Sequence, residues 1–72
     1  MRIGIPKEIM NNENRVGITP AGVSIFVEQN HEVLIEKDAG KSAGFSNEDY
    51  EKAGAKIVDT AEEAWNVDMV LK

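Results

Sequence analysis

Arg15 is the residue whose side-chain chemistry is best suited to binding a small anion. It is one of two arginines in a chain of 72 residues, and it follows the polar stretch Asn11–Asn14. Asparagine-rich stretches favour turns over helices, because asparagine side chains bond to the local backbone. The planar guanidinium group can donate two parallel hydrogen bonds to a carboxylate. The pattern therefore predicts a loop that carries a carboxylate-matching arginine.

Residue types alone leave two interpretations of Arg15. In an open parallel sheet, ligands bind on loops at the carboxyl ends of strands, and the segment from Pro6 to Arg15 follows the first predicted strand. In the first interpretation, Arg15 binds an anion at that edge. In the second, Glu13 holds Arg15 in a surface ion pair, which contributes little to stability.

Two other stretches resemble known ligand-binding motifs but lack a required residue. Gly40-Lys41-Ser42 is similar to the end of a phosphate-binding loop, yet Ile35 occupies the position that needs a glycine. His31-Glu32 resembles the start of a zinc-protease motif, and the second histidine would again fall at Ile35. We interpret the first as a plain loop and His31 as a structural or exposed residue.

The remaining candidates also have simpler structural explanations. The first strand contains Gly4 and is followed by Pro6, which has no N–H for a pyrophosphate, and no glycine-rich dinucleotide motif follows any strand. The acidic pairs Glu48-Asp49 and Glu62-Glu63 lie in predicted first helical turns, where the helix dipole favours negative charge. We expect no catalytic, metal-binding or cofactor-binding residue in this chain.

Composition excludes several classes of function. The net charge of −5, with scattered basic residues, argues against binding to nucleic acids or anionic membranes. The chain has no cysteine and a single histidine, which excludes thiolate and histidine-rich metal sites. We find no apolar run of membrane-spanning length and no signal-peptide pattern. We expect a soluble cytoplasmic protein.

Hydrophobic periodicity and helix caps predict strands that alternate with helices. Helix starts are predicted at Thr19-Pro20, at Ser46 with Asp49, and at Thr60 with Glu63. The first helix should end near Gln29, with Asn30 as a left-handed C-cap, and Ile25 falls outside its buried stripe of Val23, Phe26 and Val27.

The two later helices are predicted to bury aromatic residues. Phe45 before Ser46 predicts a hydrophobic staple, and helical spacing predicts that Tyr50 and Trp65 are buried packing residues, with Trp65 beside Ala64.

Apolar residues on both faces of the central strand suggest a sheet covered on both sides. The predicted strands are Arg2–Ile5, Arg15–Ile18, His31–Lys37, Lys56–Val58 and Met69–Leu71.

This alternation predicts an α/β fold with a parallel, Rossmann-like (flavodoxin-like) sheet in a three-layer half-domain. Three helices are too few to cover both faces of a sheet of four or five strands, and the chain ends on an apolar strand. We therefore expect residues 1–72 to be part of a larger domain.

Several runs together resemble the N-terminal segment of alanine dehydrogenases and of the α subunit of proton-translocating pyridine nucleotide transhydrogenases. The resemblance covers essentially the whole chain, and the Asn11-Asn12 pair and the Lys7-Glu8-Ile9 run look more like alanine dehydrogenase. The runs that carry it include Arg2-Ile3-Gly4-Ile5-Pro6-Lys7-Glu8, Asn12-Glu13-Asn14-Arg15-Val16, Thr19-Pro20-Ala21-Gly22-Val23, His31-Glu32-Val33-Leu34 and Val70-Leu71-Lys72.

The resemblance implies a function and a domain organisation. Alanine dehydrogenases interconvert L-alanine with pyruvate and ammonia by using NAD, and they are typically hexamers. Residues 1–72 would form the N-terminal part of a discontinuous substrate domain, whereas the NAD-binding domain would lie outside this chain. The fragment alone would then be inactive. A transhydrogenase α-subunit segment and a non-enzymatic α/β interaction module are the alternatives.

The resemblance also assigns a role to Arg15. It matches the arginine of the family's Asn-Glu-x-Arg motif, which binds the substrate carboxylate. The family's substrate lysine would fall two residues past Lys72, so the match of Leu71-Lys72 transfers no role. His31 matches a position that is not catalytic in the family.

Overall fold

The computed structural model describes residues 1–7 and 17–71, apart from the side chain of Ser42. Strands and helices alternate along these residues, as the sequence predicts, and a single 3₁₀ turn (Lys41–Ala43) precedes the second helix. The elements are β1 (Arg2–Ile5), α1 (Pro20–Glu28), β2 (Glu32–Glu36), α2 (Asn47–Lys52), β3 (Lys56–Val58), α3 (Ala61–Trp65) and β4 (Met69–Val70).

The four described strands form one parallel sheet in the order β3-β2-β1-β4. Ile3 of β1 lies opposite Val33 of β2 on one side and Met69 of β4 on the other. This is the order of the first four strands in the Rossmann arrangement, in which the chain winds outward from β1 in both directions. The predicted parallel α/β sheet is confirmed.

The alternating residues of β2 divide the core into two layers. Val33 and Ile35 face the layer of α1 and α2, where Val23 and Tyr50 are buried. Leu34 faces the opposite layer, where it clusters with residues of β3 and α3. The sheet is therefore covered on both faces at β2, which explains why β2 is apolar at three consecutive positions, whereas the two residues of β4 are only half-buried.

Gly4 allows α3 to approach the middle of β1 at very short range. A Cβ atom at this position would lie 1.7 Å from the Ala64 carbonyl oxygen and 2.8 Å from Val67 Cγ2. Ala64 itself is fully buried. Only a residue without a side chain fits between this helix and the sheet.

The predicted boundaries of α1 are confirmed at both ends. The Thr19 Oγ1 accepts the N–H of Gly22 at 3.2 Å, and Pro20 occupies the first helical position. Asn30 follows the helix with φ of 67°, the left-handed conformation that asparagine tolerates well. Ile25, which falls outside the predicted buried stripe, is 56% exposed.

The start of α2 also forms as predicted. Ser46 Oγ accepts the N–H of Asp49 at 3.1 Å, and Asp49 Oδ2 accepts the N–H of Ser46 at 2.9 Å. These two bonds complete a capping box. Phe45 packs its ring against Tyr50 in an edge-to-face contact at 6.1 Å, which is the predicted hydrophobic staple.

We expect Ser46→Ala to lower the stability of the protein by about 1 kcal/mol, because an N-cap bond is lost. Ser24→Ala is a matched control, since Ser24 lies inside α1 and alanine is the better helix former there. Calorimetry should show a lower melting temperature for Ser46→Ala alone. Equal shifts in the two variants would contradict the capping role.

Two predictions differ from the structure. Trp65 was expected to be buried beside Ala64, but 48% of it is exposed, because in the short helix α3 the Ala64 face is the one against the sheet. The predicted strand Arg15–Ile18 begins outside the described residues, and Gly17 and Ile18 do not belong to a strand.

Candidate functional site

The carboxyl ends of β1 and β4 define the candidate site. The order β3-β2-β1-β4 places β2 and β3 on one side of β1 and β4 on the other, so the strand order reverses between β1 and β4. In open parallel sheets, ligands bind in the crevice outside the carboxyl ends of the strands at such a switch point. The Leu71 N–H donates to the Gly4 carbonyl at 2.9 Å, which joins β4 to β1 near this edge.

Arg15 lies outside the described residues, so its anion-binding role stays a prediction. The described residues on either side of its segment are Lys7 and Gly17. Lys7 comes two residues after the end of β1, at the carboxyl edge of the sheet. Lys7, the described residue that precedes this segment, therefore lies at the carboxyl edge of the sheet, where the candidate site is located.

Glu36 holds Lys7, which is the first flank of the segment that contains Arg15. The Lys7 N–H donates to Glu36 Oε1 at 2.7 Å, and the preceding Pro6 is buried. Glu36 ends β2, the strand next to β1. The sequence did not predict this role of Glu36. The one local feature that could have indicated it is an acidic residue near the end of a predicted strand.

The same contact bears on nucleotide binding. In Rossmann sheets, the backbone after β1 donates to the pyrophosphate, and an acidic residue about 20 positions further along the chain accepts from the ribose. Here Pro6 has no N–H, and Glu36 Oε1 already accepts from the protein's own backbone. These residues do not provide the groups that a dinucleotide needs at this position.

Tyr50 holds Ile18, on the other side of the segment that contains Arg15. Its hydroxyl donates to the Ile18 carbonyl at 2.8 Å, across 32 residues of sequence. The Ile18 side chain packs against the main core cluster, and Thr19 follows as the N-cap of α1. Residues 18 and 19 are therefore fixed to both α1 and α2.

Tyr50 is more than the packing residue that its helical spacing predicted. It is fully buried, and its ring fills the space beside Gly40, where a Cβ would lie 2.5 Å from Tyr50 Cε2. Burial raises the pKa of the Tyr50 phenol above its usual 10.0, and the negative charge of Asp49 raises it further. The hydroxyl therefore stays protonated at neutral pH and remains a donor to Ile18.

The loop that contains Gly40 does not form a phosphate-binding cradle. Gly40 is buried against Tyr50, and Lys41–Ala43 form a 3₁₀ turn. Asp38 and Asn47 tie the loop to α2 through two hydrogen bonds of 2.9 and 3.2 Å. An open depression of about 280 Å³ lies beside it, lined by Asp38, Lys41, Phe45, Ser46, Asn47 and Glu48. These contacts fit the interpretation as a plain loop.

His31 lies at the edge of the sheet opposite the crevice, just before β2 begins. Its half-buried ring contacts Phe26 edge-to-face at 5.9 Å, which fits the predicted structural role. Within residues 1–7 and 17–71, no group of three or more His, Asp or Glu side chains could hold a metal ion. Nor does that part of the chain contain a helix long and apolar enough to cross a membrane.

Comparison with known families identifies the family to which the chain belongs. Residues 4–72 match the family described as "Alanine dehydrogenase/PNT, N-terminal domain". The chain belongs to the alanine dehydrogenase/PNT N-terminal domain family. The resemblance predicted from the Asn-Glu-x-Arg run and its neighbours is thus confirmed.

Individual relatives favour one branch of this family. The chain is 61% identical over all 72 residues to an alanine dehydrogenase of Staphylococcus epidermidis. It superimposes on a solved L-alanine dehydrogenase with a TM-score of 0.98 at 51% identity, covering 100% of this chain and 20% of that one. A transhydrogenase from Sinorhizobium meliloti is more distant, with a TM-score of 0.93 at 32% identity and the same coverage.

The chain spans a small part of these relatives. It covers 19% of the length of the S. epidermidis enzyme. The part shared with the solved L-alanine dehydrogenase is the whole of this chain, which includes the sheet described above.

Proposed function

We propose that these 72 residues form the N-terminal part of the substrate domain of an NAD-dependent L-alanine dehydrogenase. The observation that carries the proposal is the 61% identity to an alanine dehydrogenase over every residue of the chain. The domain would be discontinuous, with the NAD-binding domain outside residues 1–72. A cytoplasmic homohexamer is the assembly that we propose for the whole enzyme.

Within this proposal, Arg15 binds the carboxylate of L-alanine or pyruvate. In the sequence, Arg15 follows β1, and ligands of open parallel sheets bind beyond the carboxyl ends of the strands. The guanidinium fork would hold both carboxylate oxygens and so orient the substrate Cα. The NAD-binding domain, outside residues 1–72, would supply the hydride acceptor. The contribution of this chain is therefore positioning.

An assay of the complete gene product tests the proposed function. The complete gene product that contains these residues should convert L-alanine, water and NAD⁺ to pyruvate, ammonium, NADH and a proton, and the absorbance of NADH follows this reaction directly. A transhydrogenase α subunit is the second candidate, favoured only by the 32% identity to the S. meliloti protein. It would instead bind nicotinamide nucleotides without oxidising alanine, and that result would reject our proposal.

We expect residues 1–72 alone to be inactive with L-alanine and NAD. The dinucleotide-binding groups discussed above are absent or already bonded near β1 and β2, and no proton-transferring residue was identified in the chain. The purified 72-residue polypeptide and the complete gene product should be assayed side by side. NAD-dependent alanine oxidation by the short polypeptide would contradict the proposal that the NAD-binding domain lies outside residues 1–72.

A further inference from the structure

We draw no further inference here: the strongest candidate, the half-buried apolar edge of the sheet at β4 (Met69–Val70), carries none because nothing in the part of the chain that the structure describes shows what covers it.

Discussion

Arg15→Lys should raise the KM for L-alanine by about 10- to 100-fold in the complete gene product. A charge-assisted hydrogen bond contributes about 1.5–3 kcal/mol, and lysine cannot reproduce the second bond of the guanidinium fork. Pyruvate should be affected by the same factor, whereas KM for NAD should stay nearly unchanged. Steady-state kinetics with each substrate varied in turn would measure these constants.

Arg2→Lys is the control that the chain offers, because Arg2 is its only other arginine. Arg2 lies at the amino end of β1, half exposed, with its Nε 3.6 Å from Glu32 Oε1. An exposed pair of this kind contributes little, so all substrate constants should be preserved. Similar changes in alanine and NAD constants for Arg15→Lys would reject the carboxylate role.

Gly4→Ala should destabilise the protein on the order of 3 kcal/mol or prevent it from folding. The added Cβ would meet the Ala64 carbonyl oxygen at 1.7 Å, and this atom belongs to the backbone of α3. Overpacking of a dense core forces backbone shifts of this cost. The whole helix would have to move away from the sheet, which would expose Leu34 and Val58. A large fall in melting temperature or soluble yield is the expected result.

Gly22→Ala makes the same chemical change with a milder outcome. Its Cβ would lie 2.7 Å from Ile18 Cγ1, an atom of a side chain that can shift. Alanine is also better than glycine inside a helix by about 1 kcal/mol, which offsets part of the contact. If Gly22→Ala lowered the melting temperature as much as Gly4→Ala, backbone contact with α3 would not be the cause.

Local signals in the sequence were sufficient to place most of the elements. Each predicted helix cap is a hydrogen bond between residues that are close in the sequence. The side chains of Thr19, Ser46 and Thr60 each accept from a backbone N–H three residues later. Because a cap depends on neighbours in the chain, its residue types predict it without knowledge of the fold. β2 was also predictable, because Val33, Leu34 and Ile35 are apolar at consecutive positions, which indicated two covered faces.

The sequence also indicated the family, because the short runs that resemble alanine dehydrogenases occur along the whole chain. One of these runs contains Arg15. It named a carboxylate-binding arginine only through that resemblance. On chemistry alone, Arg15 was also compatible with a surface ion pair to Glu13, since one arginine on a polar loop has no local signature that identifies a carboxylate site.

The tertiary structure alone decided where the crevice lies and what holds its first loop. The order β3-β2-β1-β4 results from packing of helices on opposite faces, which no local pattern encodes. Tyr50 and Ile18 are 32 residues apart, and Gly4 and Ala64 are 60 apart. Contacts over such separations form only when the sheet assembles, so helical spacing could identify Tyr50 as buried but could not show which carbonyl its hydroxyl binds.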